Sequence, residues 1–295
     1  MIRGSLTDRV RTVFERVSAS NKYWVIHNEY EYDAVELPPE QKYQSAADEE
    51  GIFVNGLVDK IQTDAGRSLS SLSICIDITG FMQPHLVFFT LVMFLKGVKK
   101  FDVIYSEPQR YSKKENTQFF DGAIRVRQVE GFIGVNSTAF NGDFLIIGSG
   151  YDDRLIKAVA NEKDKADKVQ IFGLPSLRAD MYQENVLKAA LAADAIGYNK
   201  LFPQESFFAP ANDPFVTATT LSEIVSARRE RGPISNLYLS PLATKPQALG
   251  FALFYIGECI GTNASILFPV SKRYSKETST GIQRVWRYTV EFPIF

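Results

Sequence analysis

Leu72-Ser-Ile-Cys-Ile-Asp-Ile-Thr79 is a run of strand length rich in β-branched residues, and Gly80 breaks it. An apolar helix is expected from about Pro84 to Lys96, with a second strand over Phe101 to Tyr105. Strands this apolar suit a parallel sheet covered on both faces, and a helix apolar almost all round should be buried on several sides. The three elements read as a βαβ unit.

The pattern returns twice. Strand Asp143 to Ile147, the turn Gly148-Ser-Gly-Tyr-Asp-Asp153, a helix to about Ala160 and strand Lys168 to Phe172 make a second unit. Strand Ser235 to Leu239, helix Pro246 to Ile260 and strand Ser265 to Phe268 make a third. Three such units predict an α/β fold, Rossmann-like, with a mostly parallel doubly wound sheet. Residues Phe119 to Asn136, with Gly122 and Gly131 as turns, read as an antiparallel β insertion. The alternating segment Val285 to Phe292 reads as an antiparallel edge strand. There is no short-period internal repeat.

Upstream, Thr7 to Val17 has helical spacing and Tyr23 to His27 strand character. Glu29 to Glu50, with Pro38-Pro39 and Asp48-Glu49-Glu50, reads as a polar surface excursion. The expected organisation is therefore an N-terminal part over 1–68 and a Rossmann-like domain over 69–295, with the ordered core starting near Leu69.

Composition narrows the chemistry. Thirty-three basic and 34 acidic residues give a formal charge of -1, so no global field draws in nucleic acid or an anionic membrane, and any anion site must be local. Local contact with nucleic acid stays open. Cys75 and Cys259 sit in apolar runs and read as buried structural thiols. With two histidines, His27 and His85, zinc sites and histidine-based triads have too few ligands or bases. The N-terminus lacks the apolar stretch of a signal peptide, and the run Leu86 to Leu95 is too short to span a bilayer, so a cytoplasmic protein is expected. No motif calls for a cofactor or a metal.

In open α/β sheets ligands collect beyond the carboxyl ends of the strands, which directs attention to four turns. In the first, Asp77 and Thr79 end an apolar strand and either meet a ligand or cap the next helix. Glu107, ending the neighbouring strand, reads as an exposed loop acid or as a partner to Asp77. In the second, Gly148 and Gly150 resemble a dinucleotide loop only loosely, since Asp153 replaces the third glycine, and the turn reads rather as a tight turn with a helix cap or as a contact to ribose hydroxyls or a base. In the third, Arg178 could meet a phosphate and Asn185 a base or ribose, or Arg178 could simply pair with Asp180. In the fourth, Ser240 and Thr244 supply hydroxyls, Lys245 a point charge and the following helix its N-terminus, while Pro246 fits a first helical turn. Late in the chain, Thr278, Ser279, Gly281, Arg284 and Arg287 surround Trp286, a mix that could stack on a base or form an edge strand with solvated arginines.

Asn236-Leu-Tyr-Leu-Ser-Pro-Leu-Ala-Thr-Lys-Pro-Gln-Ala-Leu-Gly250 resembles the CARF proteins, Rossmann-like sensors of cyclic oligoadenylate, and more distantly the SAVED domains of antiphage systems. Asn236, Thr244 and Lys245 echo their strand, Gly-Gly-Thr-Lys turn and apolar helix. Pro241, Leu242 and Ala243 replace the glycines, and the asparagine lies farther upstream. The resemblance implies a nucleotide sensor of prokaryotic defence with Asp77, Thr79 and Lys245 around the ligand. It also implies dimerisation and an effector on a partner chain.

The expected function is binding of a nucleotide or phosphorylated ligand, with a protein partner or homo-oligomer, rather than catalysis. Two readings stand beside it. One is a nucleotide hydrolase or glycosidase using Asp77 or Glu107. The other is a structural subunit docking through Glu29 to Glu50 or Phe202 to Phe215.

Overall fold

The computed structural model describes residues 2–3, 8–111, 120–121, 124–135, 142–197, 206–270, 273–274 and 279–292. The chain divides into two compact units, the first Met1–Gly122 with Lys272–Phe295 and the second Ala123–Ser271. The expected boundary at 68/69 falls inside the first unit.

The first unit runs β1 (Ile2–Arg3), α1 (Asp8–Arg16), β2 (Tyr23–Ile26), β3 (Lys42–Gln44), α2 (Glu50–Ala65), β4 (Cys75–Asp77), α3 (Gln83–Leu95), β5 (Lys100–Tyr111) and β6 (Phe120–Asp121). The second runs β7 (Arg125–Gln128), β8 (Phe144–Gly148), α4 (Asp153–Glu162), β9 (Asp167–Gly173), α5 (Ala179–Leu191), α6 (Ala193–Ile196), β10 (Ser206–Ala209), α7 (Pro214–Glu230), β11 (Leu237–Pro241), α8 (Lys245–Glu258) and β12 (Ala264–Val270). The chain then returns to the first unit with β13 (Arg273–Tyr274) and β14 (Ser279–Glu291).

Each unit has its own six-stranded sheet, ordered β3-β2-β1-β4-β5-β14 in the first and β10-β9-β8-β11-β12-β7 in the second. Five strands of each are parallel, and the sixth is antiparallel: β14 on β5, β7 on β12. Numbered within its own unit, the parallel order is 3-2-1-4-5 in both. The helices match as well, α1, α2 and α3 standing at the same steps as α4, α7 and α8. The fold is thus α/β and mostly parallel, as expected, but the three βαβ units do not share a sheet. The first belongs to one sheet and the other two to the second.

The expected edge strand is β14, starting earlier than Val285. The insertion is antiparallel β, but its strands pair with distant ones: β7 with β12, and β6 with β13. Phe119, Gly122, Asn136, Thr278 and residues 202–205 lie outside the described residues.

The ordered core begins before Leu69. The polar excursion contains β3 and two 3-10 turns, and leads directly into α2. There Phe53, Val54, Leu57, Val58 and Ile61 are buried along one stripe at helical spacing. Gly66 ends the helix at φ +61°, a left-handed cap that favours glycine. Helix α7, also unforeseen, starts where Asp213 accepts the Phe215 and Val216 N–H groups at 2.9 and 3.0 Å and Pro214 needs no donor. It packs on α8 at Gly250, where a Cβ would stand 2.5 Å from the Pro214 carbonyl oxygen. Helix α3 is buried nearly throughout, as its all-round apolarity requires.

Candidate functional site

The carboxyl edge of the second sheet gathers most of the residues singled out in the sequence. Neighbouring strands β8 and β11 end in register, Gly148 beside Pro241, at the point where the strand order reverses. The turns after them lock together. The Leu242 N–H donates to the Gly148 carbonyl at 3.0 Å, and Gly150 lies so close to the Leu242 carbonyl that no Cβ could fit between. Asn185, buried on α5, donates its amide to the Ser149 and Gly150 carbonyls, both at 2.7 Å. Asn185 thus holds the glycine turn, and among the described residues its buried Oδ1 meets no hydrogen-bond donor. The Ser149 hydroxyl donates to Gln170 at 2.6 Å.

The fourth turn is largely satisfied from within. Thr244 caps α8: its hydroxyl accepts the Gln247 N–H at 3.4 Å and donates to the Ala211 carbonyl. Pro246 has no N–H to offer. Ser240 is fully buried and donates to the Leu267 carbonyl at 3.1 Å, so its hydroxyl braces β11 against β12. Lys245, half-buried, is the first residue of α8 and stands at the positive end of that helix. Arg178 donates to Asp180 at 3.1 Å, the simpler of its two expected arrangements. Asn236 lies at the opposite end of β11, bonded to Asp143 at 2.7 Å. Of the three residues that carry the CARF resemblance, two therefore stand at the carboxyl edge.

Asp77 and Thr79 belong to the first unit. Asp77 ends β4 fully buried and accepts the Thr79 N–H at 3.0 Å. The Thr79 hydroxyl accepts the Ser106 N–H at 2.9 Å, tying the turn to β5. Neither side chain caps α3, whose cap position is Met82. Glu107 is not an exposed loop acid: β5 extends past it, it is buried, and it accepts the Trp286 indole N–H from β14 at 2.9 Å. Arg9, buried on α1, donates to the Ser106 carbonyl at 2.6 Å and the Ser279 hydroxyl at 2.5 Å.

The two histidines meet, which composition alone does not foreshadow. His27 follows β2 and His85 is the third residue of α3, so both stand at the carboxyl edge of the first sheet. Both are buried, their ring centroids 4.8 Å apart at 70°. Phe53 stacks on His27 at 4.8 Å, and Phe81 meets it edge-on at 5.3 Å. The parallel strand direction of His27 and the first-turn position of His85 were the available signal.

Burial pushes the Cys75 thiol up to about 11 and the Cys259 thiol up to about 12, which keeps both protonated near neutrality and unsuited to nucleophilic work. Among the described residues no group of three or more His, Cys, Asp or Glu is placed to hold a metal ion, and no helix is long and apolar enough to cross a membrane. Comparisons of the chain with protein-family models, curated proteins and solved structures found no match.

Proposed function

We propose that this is a Rossmann-like binding protein that holds a nucleotide or related phosphorylated ligand at the carboxyl edge of its second unit and passes its occupancy to a protein partner. The observation that carries the reading is the convergence of the Gly148–Gly150 turn and the Thr244–Lys245 turn, about 95 residues apart in sequence, on adjacent strands β8 and β11. Doubly wound sheets of order 3-2-1-4-5 commonly take ligands between strands 1 and 4, here β8 and β11, which supports a site at this edge. Glycine at 150 leaves main chain without a side chain there, and Lys245 supplies the local cation that a chain of formal charge -1 needs for an anion. Because Pro246 and Thr244 remove two α8 amides from play, the charge of Lys245 carries more of the recognition than in a glycine-rich phosphate loop.

The CARF resemblance extends the proposal to a nucleotide messenger of prokaryotic defence. Phe208 on edge strand β10 and Phe215 on α7 are exposed, which supports a partner surface on this unit. A hydrolase or glycosidase built on Asp77 and Glu107 has less support, since both carboxylates are buried and each accepts a hydrogen bond that ties its own turn or strand pair.

The test is mass spectrometry of small molecules released on denaturation, followed by titration with ATP and with cyclic and linear adenylate oligomers. Wild type should release or bind one of them, and Lys245→Ala should lose at least tenfold in affinity. A wild type that is empty and binds none of these probes overturns the proposal.

A further inference from the structure

We propose that the first unit carries a separate small-molecule site, at the amino edge of its sheet, for an uncharged heteroaromatic ligand of nucleoside size. A cavity of about 800 Å³ opens there, between the α1–β2 connection, the last turn of α2 and the starts of β4 and β5. That volume lies within the range of roughly 300–1,000 Å³ usual for ligand pockets. The cavity is at the opposite strand ends from Asp77 and Glu107, and in the other unit from Lys245.

The lining selects the ligand class. Ile61, Ile74 and Ile104 are buried and give an apolar, branched wall suited to a flat ring. The charges on the lining cancel, Asp64 and Asp102 against Arg67 and Arg287, so a phosphate gains nothing there. Asp102 and Arg287 are already spent on each other at 2.7 Å, and Thr289 fills the other Asp102 oxygen at 2.8 Å. Cys75 is held as a neutral thiol.

Asp64 and Arg67 are not spent. Tyr23, Gln41 and Lys60 all bond to Oδ2 of Asp64, at 3.0, 2.7 and 3.0 Å, and leave Oδ1 as an acceptor. Those bonds, led by Lys60, hold the Asp64 carboxyl below its usual range, so it stays ionised. Among the described residues, the Arg67 guanidinium donates from Nη2 to the Ser71 carbonyl at 3.0 Å. An anionic acceptor and a planar set of donors, three residues apart along the chain, match a heterocycle edge that carries an amino group beside a ring nitrogen. The guanidinium plane can also stack on the ring. Ser18, Ser20 and Ser73 offer hydroxyls at the mouth for a sugar.

The experiment is calorimetric titration of adenosine into the full chain, using wild type, Ser73→Trp, Arg67→Ala and Lys245→Ala. Ser73 is exposed, so a tryptophan there fills the mouth without entering the core. Adenosine should bind wild type and Lys245→Ala equally, and bind Ser73→Trp and Arg67→Ala at least tenfold more weakly. Absence of adenosine binding to wild type overturns the site, as does undiminished binding to Ser73→Trp. Loss on Lys245→Ala instead moves adenosine to the other unit and equally overturns it, whereas failure of the ATP titration leaves this result untouched.

Discussion

The two units share a strand order and a sequence of helices, yet their carboxyl edges are built differently. In the second unit the edge is closed by main chain: Leu242 on Gly148, Asn185 on two carbonyls, Gly150 flush against Leu242. In the first it is built from side chains: stacked His27 and Phe53, His85, Asp77, and Glu107 held by Trp286. Strand order fixes where the turns meet, while turn composition decides what they offer. Small and glycine residues bring backbones together, whereas large residues fill the corresponding space with rings. One topology thus carries both an edge drawn together through glycine turns and an edge packed with rings.

The contrast can be broken most forcefully at Gly250. Replacing it with leucine drives a side chain into Pro214 and Thr217 and should cost about 3 kcal/mol or more in urea unfolding. Both tryptophans, Trp24 and Trp286, belong to the first unit. The midpoint followed by far-UV circular dichroism should therefore fall more than that followed by tryptophan fluorescence. Equal shifts would mean that the two units do not answer separately to damage.

Asn185→Leu comes next. It strips two buried carbonyls of a donor and should cost about 2 kcal/mol, with loss of nucleotide binding if the glycine turn is the ligand edge. Retained affinity in a folded Asn185→Leu would show that the turn needs no such clamp. Thr244→Ala should cost about 1 kcal/mol through the lost α8 cap. Helix α3 has no side-chain cap to lose, so thermal unfolding of Met82→Ala would report packing alone.

The smallest effect concerns Asp102. The hydrogen bond from Arg287 holds its carboxyl below the usual range, so folding depresses this pKa. The stabilisation is then fully present above about pH 4, where the unfolded carboxyl is ionised, and is lost as pH falls through the lower folded value. Arg287 is 70% exposed, so solvent screens the pair. Arg287→Ala should lower the urea midpoint less than Thr244→Ala does at pH 7, and the difference from wild type should vanish at the acid end of a pH series. A constant offset across that series would assign the loss to packing rather than charge.

Local composition sufficed for most of the apolar strands, the apolar helices α3 and α8 and the turns at strand ends. β4, β8, β11 and β12 are short, largely apolar runs, and α3 and α8 are apolar on nearly every side, signals that local composition carries unaided. It did not reveal α2, where charged residues between Phe53 and Ile61 hid a helical stripe, nor α7, whose buried positions are spread among threonines and serines. The placement of Gly148, Gly150, Thr244 and Lys245 at or just beyond strand ends was legible because strand ends and turn residues are local features. Tertiary structure alone decided that the βαβ units divide between two sheets and that β14 returns to β5. It alone made Ser240 a brace and brought His27 onto His85. Strand pairing and burial are contacts between residues far apart in the chain, and hydrogen-bond geometry leaves no mark on the composition of either partner.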